Sequence, residues 1–155
     1  GYRITDLGTA KITDVTQSVA VAEVADVKRE IFRGARARLY VDPPAEIARK
    51  TANQVLLGYI VSAIDGKLAL GSNDVIFIDL GAANGLEVGH ELRIFRTREL
   101  TKAAKETSDH KVSLPQIELG SAIVVEVQEN TAGALILETG NLPLYPGDRV
   151  VTITR

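Results

Sequence analysis

The chain has 155 residues, of which 45% are hydrophobic and 25% are charged, a composition typical of one compact globular domain or two very small ones. It contains no cysteine, which excludes disulfides, thiolate catalysis and cysteine-bound zinc. A net charge of −2 argues against a general nucleic-acid binder, and no apolar run is long enough to span a membrane. Because methionine is also absent, we expect Gly1 to be an internal boundary, with any secretion signal upstream.

The first predicted β-unit covers residues 1–41. Apolar residues are spread over two strands between Ile12 and Val24, around the polar turn at residues 16–18, and this pattern predicts a β-hairpin. A short strand is predicted over residues 35–41. A linker at residues 42–56 follows, in which Asp42 would cap a short helix whose first turn holds the prolines.

The central predicted β-unit covers residues 57–95. It is expected to begin with a hairpin around Asp65-Gly66, a favoured pair for a two-residue turn. The mostly apolar run at residues 74–81 predicts a central strand, and a further strand is predicted in the run HELRIFR.

A charged loop at residues 96–118 separates the central unit from the third, at residues 119–155. The loop either forms one or two helical turns or is exposed and irregular, and its histidine, His110, is expected to be solvated. The third unit repeats the hairpin pattern of the first, with its turn at residues 128–130.

An internal repeat links these units. Residues 7–27 align without a gap to residues 119–139, and one inserted residue extends the match to residues 32–40 and 145–153. A third, looser copy begins at Leu57-Gly58. The alignment gives Gly34, Gly89 and Gly147 one shared position before a short strand, as expected where the backbone needs a positive φ or a close approach.

The residue after this shared glycine decides how His90 is interpreted. Its counterparts are Ala35 and Asp148, and a position that accepts alanine does not demand metal-ligand chemistry. We therefore interpret His90 as a polar turn residue. The whole pattern predicts an all-β protein of repeated small barrel-like units with short helical or irregular connections, packed as one or two compact domains.

Motifs for catalysis or for binding of cofactors are absent from the sequence. It has no nucleophile elbow, phosphate loop, zinc signature or calcium loop, so no catalytic residue, metal ligand or cofactor is assigned. The acidic residues Asp65, Asp74 and Asp79 resemble cation ligands, but turn contexts explain Asp65 and Asp74, and Asp79 could cap the turn at residues 81–84.

A basic strand face is the most distinctive polar feature. On the predicted strand at residues 35–41, Arg36, Arg38 and Tyr40 share one face, and Ala37, Leu39 and Val41 share the other. Arg93 occupies the repeat position of Arg38. Arg36, Arg38 and Arg93 are therefore the candidates for binding an anion or a partner. The alternative is a solvated face paired with acids such as Glu91.

The run DVIFIDLGAANGLEVGHELRIFR, the charged loop, and then LPQIELGSAIVVEVQENTAGALIL and YPGDRV together resemble known modules. They are similar to C-terminal β-modules of bacterial cell-envelope proteins, namely those attached to LysM peptidoglycan-binding domains and that of flagellar assembly protein T. The match covers residues 56–153, although His90 replaces the usual Asp and no LysM domain is present. The resemblance implies a periplasmic or envelope location and an assembly role without catalysis.

The expected function is therefore a non-enzymatic interaction or assembly module of a larger envelope protein. Its partners would be envelope proteins, possibly associated with peptidoglycan, and not nucleic acid. Two alternatives remain open at this point. One is a module that binds glycan or an anionic polymer, although only four tyrosines are present to form a sugar platform. The other is an accessory β-domain of an enzyme.

Overall fold

A computed structural model describes residues 4–42, 44–98 and 115–154. The chain divides into two compact units, Gly1–Pro44 and Ala45–Arg155, called here the N-terminal unit and the barrel unit. The fold is nearly all β and contains a closed six-stranded barrel, which confirms the all-β part of the expected fold class. His110 and the centre of the predicted charged loop lie outside the described residues.

The N-terminal unit contains a two-stranded antiparallel sheet. Its strands are β1 (Gly8–Val15) and β2 (Ala20–Val27), joined by the predicted polar turn, in which the Thr16 N–H donates to the Val19 carbonyl at 2.8 Å. The predicted strand at residues 35–41 is not assigned as a strand. Its sequence alternates as a strand does, but the two-stranded sheet offers it no place.

Six antiparallel strands close the barrel in the order β3-β4-β7-β6-β5-β8. Two short 3₁₀ turns, Ile64–Gly66 and Ala82–Asn84, belong to the connections. The strands are β3 (Leu57–Ala63), β4 (Val75–Ile78), β5 (Glu91–Thr97), β6 (Gln116–Val127), β7 (Ala132–Thr139) and β8 (Arg149–Thr152).

Aliphatic side chains fill the barrel. Large and small residues face each other across β4 and β7, where Ile76 pairs with Ala134 and Ile78 pairs with Ala132. Burying one such large side chain stabilises the fold by roughly 1.5–3 kcal/mol. The completely buried apolar residues are Ile76, Ile78, Leu92, Ile94, Leu119, Ala122, Val124, Ala134, Ile136, Leu144 and Val150.

Two local predictions for the barrel unit are wrong. The hairpin expected at Asp65-Gly66 does not form, because β3 pairs with β4 and Leu70 instead bridges to the distant Leu144. No helix forms in residues 44–56 of the linker. There the backbone of Lys50 bonds to Gly89 and Glu91, so the linker runs beside the start of β5 and satisfies its polar groups.

The hairpins β1–β2 and β6–β7 pair in the same register. Adding 112 to both numbers of each of the seven pairs in β1–β2, from Gly8↔Val27 to Val15↔Ala20, gives a pair in β6–β7. The register shifts fall at corresponding places, and both turns close with a 2.8 Å bond. Two hairpins, one in each unit, therefore have the same local construction.

The barrel can be divided into two halves that have equivalent places in the strand order. The first half, residues 56–97, contributes β3, β4 and β5, and the second half, residues 116–152, contributes β6, β7 and β8. Exchanging β3, β4 and β5 with β6, β7 and β8 leaves the strand order unchanged. Under this exchange the residue pairs Phe77↔Gly133 and Arg93↔Val151 are each replaced by themselves. Each half is thus a ββ-turn-β segment that closes the barrel against the other.

The strand registers also correct the looser sequence alignment. The pairs Ile60↔Ile78 and Val124↔Ala134 occupy equivalent places in the two halves, so β3 and β6 correspond with an offset of 64. The sequence alignment matched Gly58 with Gly120, an offset of 62. The alignment was wrong because it matched the two Leu-Gly pairs, whereas β3 has no glycine equivalent to Gly120 of β6.

Candidate interaction surface

Three glycine turns share one backbone conformation, as the repeat predicted. The φ angles of Gly34, Gly89 and Gly147 are 99°, 92° and 97°. In each turn the N–H after the glycine donates to the carbonyl three residues earlier, at 3.1–3.2 Å. The prediction of a positive φ at these positions is confirmed.

His90 is part of its turn. Its Nδ1 accepts a hydrogen bond from the Glu87 N–H at 3.2 Å, just as the Asp148 carboxylate accepts one from the Tyr145 N–H at 2.8 Å. The side chain is buried, 6% exposed. The interpretation of His90 as a polar turn residue is therefore confirmed. Its ring nitrogen accepts a backbone hydrogen bond within the turn, as the Asp148 carboxylate oxygen does in the other half.

A buried ion pair between Arg96 and Asp148 was not predicted from the sequence. Arg96 binds the Asp148 carboxylate with Nε and one terminal nitrogen, at 2.6 and 2.8 Å, and also donates to the Pro143 carbonyl at 3.1 Å. The hydrogen bond with Asp148 raises the pKa of Arg96. The guanidinium also lies 5.1 Å from the centre of the Tyr145 ring. The pair therefore fastens the turn before β8 onto β5.

Two of the acidic residues first considered as cation ligands, Asp74 and Asp79, make local hydrogen bonds. Asp74 accepts from Lys67 at 2.6 Å and from the Gly71 N–H at 3.0 Å, and these bonds lower its pKa. Asp79 accepts from the Tyr59 N–H at 2.6 Å. The turn that it was expected to cap is instead closed by Asn84. In residues 4–42, 44–98 and 115–154, no three His, Cys, Asp or Glu side chains gather to hold a metal ion.

An open depression in the barrel unit lies beside His90. Its one lining acid is already paired, since Glu87 lies 3.5 Å from the Lys50 ammonium; the lining Arg49 guanidinium lies 3.4 Å from Glu91 at the start of β5. These exposed pairs position the linker more than they stabilise it. The lining residues are Arg49, Lys50, Thr51, Asn53, Glu87 and His90.

The three candidate arginines belong to two different units. Arg36 and Arg38 are exposed in the N-terminal unit, where Arg38 lies 3.2 Å from the Asp6 carboxylate. Arg93 is exposed on β5 of the barrel unit and lies 3.5 Å from Glu118 on β6, rather than pairing with Glu91. The structure thus brings Arg36 and Arg38 together, and Arg93 occupies the corresponding place on another element.

The N-terminal unit exposes an apolar surface that its counterpart in the barrel buries. Ile12 is 61% exposed and Val24 is 49% exposed, whereas the corresponding Val124 and Ile136 are both 0% exposed. Leu39 is 88% exposed, and Thr152 at its place is 4% exposed. We call this surface the open face: Ala10, Ile12, Ala20, Ala22, Val24, Ile31, Ala37 and Leu39.

Comparison with known proteins adds no identity. No family model, no curated protein and no solved structure matches the chain. Within the described residues, no helix has the length and apolar character needed to cross a membrane. The surfaces of the chain itself therefore indicate what it binds, and the open face is one on which several apolar residues are exposed.

Proposed function

We propose that this chain is a non-enzymatic interaction or assembly module of a larger bacterial cell-envelope protein. The observation that carries the proposal is the open face. Monomeric proteins seldom leave a contiguous apolar surface of this kind in water, and such surfaces usually bind a partner. The barrel unit, by contrast, fills its interior with its own aliphatic side chains, which suits a scaffold.

A repeated architecture is part of the proposal. We take residues 7–41, 56–97 and 116–152 to be three copies of one ββ-turn-β half-barrel. The common register of β1–β2 and β6–β7 supports this view, and so do the three glycine turns with φ between 92° and 99°. A module built from such halves can present one half to a partner while the others form a closed barrel.

The envelope location and the periplasmic context rest on the sequence resemblance alone. The strand that ends in Leu-Gly, the Gly-Leu-x-x-Gly turn and the later Leu-Gly hairpin are the features in which the chain resembles LysM-associated and flagellar assembly modules. In this proposal the partner is an envelope protein, including one bound to peptidoglycan.

Arg36 and Arg38 give this partner a second, polar contact. In the second half, the residues at the places of Ala37 and Leu39 are buried, whereas those of Arg36 and Arg38 lie on outward positions of β8. Alternate residues of one segment therefore serve two purposes, one apolar and one cationic. Arg93 extends the cationic character to the corresponding outward position of β5.

The proposal is tested by a binding titration against envelope-protein extract and, separately, against purified peptidoglycan sacculi. The variants are Arg36→Glu with Arg38→Glu, and a control with the same charge change on the same unit, Lys11→Glu with Lys28→Glu. We expect protein binding that weakens as salt rises and that the arginine variant lowers at least about tenfold, because rim charges mainly set association rates.

Two outcomes would contradict the proposed contact. Equal binding by the arginine variant and the wild type at low salt would leave these arginines as solvated side chains. Binding to sacculi alone, with no protein captured, would favour the glycan-binding alternative instead. Melting temperatures of all variants should stay near that of the wild type, because exposed charge changes usually alter stability by no more than about 0.5 kcal/mol.

A further inference from the structure

The geometry points to a specific occupant for the open face: a first-half segment, of the ββ-turn-β kind formed by residues 56–97, on polypeptide outside residues 1–155. This inference rests on the proposed function and names the partner's chemistry. The barrel unit supplies the argument, because it contains a segment built like the N-terminal unit and shows what covers it. There, the first half covers β6, β7 and β8.

Unpaired strand edges are the first requirement that the occupant must meet. β7 pairs with β6 on one side and with β4 on the other, but within the described residues β2 pairs with β1 alone. In the same way, β6 pairs with β5 as well as β7, whereas β1 has a single neighbour among the described strands. A first-half segment would add a β4-like strand to β2 and a β5-like strand to β1.

Side-chain size is the second requirement, and it argues against a second copy of the N-terminal unit. In the barrel, Ala132 and Ala134 of β7 face Ile78 and Ile76 of β4. The N-terminal unit has Ala20 and Ala22 at the places of Ala132 and Ala134. If two copies of β2 paired as β4 and β7 do, alanine would face alanine and voids would remain. A β4-like strand with bulky residues fills that space.

Charge gives the same answer. The strands β5 and β8 pair at Arg93↔Val151. Arg38 of the N-terminal unit takes the place of Val151, so two copies of that unit, paired as β5 and β8 are, would place Arg38 opposite Arg38. Like charges directly opposite each other on neighbouring strands are unfavourable. For the same reason the occupant should carry an uncharged residue at the place that Arg93 holds in residues 56–97.

Backbone donors for the hairpin turn are the third requirement. In the barrel, the N–H groups of Ala82 and Ala83 donate to the Gln128 and Glu129 carbonyls, each at 2.8 Å. Gly81 makes this approach possible, since a Cβ there would lie 2.5 Å from the Glu129 carbonyl oxygen. The corresponding carbonyls of the N-terminal unit belong to Thr16 and Gln17. The occupant should therefore carry a glycine followed by a short 3₁₀ turn.

The chain provides its own probe for this inference. An additional copy of residues 45–115, carrying Arg93→Val so that Arg38 faces an uncharged residue, is joined ahead of residue 1, so that the full chain gains one more first half. Hydrogen exchange of the β1 and β2 amides is compared in the extended and original chains. We expect protection of these amides to rise at least about 100-fold, because a covered hairpin exchanges only by wider opening.

A matched control carries Ile76→Ala and Ile78→Ala in the added copy only. It keeps the backbone and length of the extension but removes the side chains that would face Ala20 and Ala22. We expect it to lose most of the added protection. The amides of β6 and β7 in the same sample report whether the resident barrel remains folded.

Three results would overturn the inference. The first is that β1 and β2 exchange as fast in the matched extension as in the original chain. The second is that the control protects them as well as the matched extension does. The third is that the original chain is already a concentration-dependent dimer with β1 and β2 protected, which would make the occupant a second copy.

If the extension unfolds the resident barrel, a second variant decides. In it, residues 119–152 of the full chain are replaced by residues 7–39, so that the N-terminal segment must serve as a second half, and Arg93 is replaced by Val to avoid facing Arg38. A cooperative melt with protection of the transplanted hairpin supports the inference, and loss of the barrel overturns it. Salt-dependent binding through Arg36 and Arg38 is measured on the original chain and tests the proposed function separately.

Discussion

Three glycines, Gly34, Gly89 and Gly147, adopt similar positive φ angles but differ in their surroundings. A Cβ on Gly89 would collide with the Ala48 carbonyl oxygen, whereas nothing lies within 4 Å of one on Gly147. We expect Gly147→Ala to cost about 1 kcal/mol from backbone strain alone, and Gly89→Ala to cost about 3 kcal/mol because it adds a steric clash.

The control for this prediction is His90→Ala, which removes one acceptor from the Glu87 N–H. Its expected cost is about 1 kcal/mol, with His90→Asp nearer to the wild type. Chemical denaturation of the four variants measures the differences. If His90→Ala were the most destabilised of them, the backbone explanation of this turn would be wrong.

The Arg96–Asp148 pair gives a second prediction at the residue scale. Asp148 is 4% exposed, so Arg96→Ala would leave a buried carboxylate without its main partner. We expect a loss of about 2–3 kcal/mol, at the lower end for a broken buried pair because Arg96 is itself one-third exposed. Arg96→Lys should recover only part, since lysine cannot bind the carboxylate through two nitrogens. Exposed Arg93→Ala is the control and should change stability little.

Asp74 predicts a pH dependence. Its pKa is lowered in the folded chain by the hydrogen bonds from Lys67 and Gly71. A carboxylate of this kind stabilises the fold fully above its unfolded pKa, about 3.9, and the contribution is lost as pH falls through the folded value. The melting temperature of Asp74→Asn should therefore lie below that of the wild type at pH 6. The two should converge as the pH is lowered below about 4, and a constant difference down to pH 2 would contradict the assignment.

Among the secondary-structure elements, the long hairpin β6–β7 depends on a close approach at Gly120. A Cβ there would collide with the Glu138 carbonyl oxygen, and Gly8 stands in the same relation to Asp26. We expect Gly120→Ala to destabilise the barrel by about 2 kcal/mol or more, as an overpacked site does. Gly140→Ala is the matched control, because its nearest neighbour would be 3.5 Å away. Equal melts of the two variants would show that the hairpin can open at Gly120 without cost.

The sequence predicted those elements whose information is local. The polar turn at residues 16–18 and the three glycine turns follow from residue types within a few positions. The prediction of a hairpin at Asp65-Gly66 was wrong because Leu70 forms a β-bridge with Leu144, which lies 74 residues away in the sequence. The Arg96–Asp148 pair was missed for the same reason, since its members are 52 residues apart. Neither distance is encoded in a short window of sequence.

The segment at residues 35–41 shows a different limit. Its alternation of Arg36, Ala37, Arg38 and Leu39 has the period of a strand, and β8 at the corresponding place alternates half-buried and buried residues. A strand also needs neighbours to bond with, and the sheet of the N-terminal unit has two strands within the described residues. The predicted strand at residues 35–41 was therefore wrong, because alternation alone does not supply a pairing partner.

At the scale of the whole molecule, the chain contains two hairpins with the same register in very different surroundings. The inward residues of β6–β7 are buried in the barrel, whereas those of β1–β2 lie on the open face. The two hairpins thus have the same backbone hydrogen bonds and differ in how far their side chains are buried. Comparing their stabilities therefore measures what a hydrophobic core adds to a hairpin.

Hydrogen exchange at low protein concentration measures that difference. We expect the β6 and β7 amides to be protected at least about 1,000-fold more than their β1 and β2 counterparts, because two or three buried aliphatic side chains already supply more than 4 kcal/mol. The amide of Val124 against that of Ile12, and that of Ile136 against that of Val24, are the most informative pairs. Ile136→Ala should lower protection throughout β6 and β7, whereas Val24→Ala should leave β1 and β2 nearly unchanged. If the two hairpins were equally protected in the dilute chain, the open face would be covered by the chain itself. The proposal that a partner covers the open face would then be wrong.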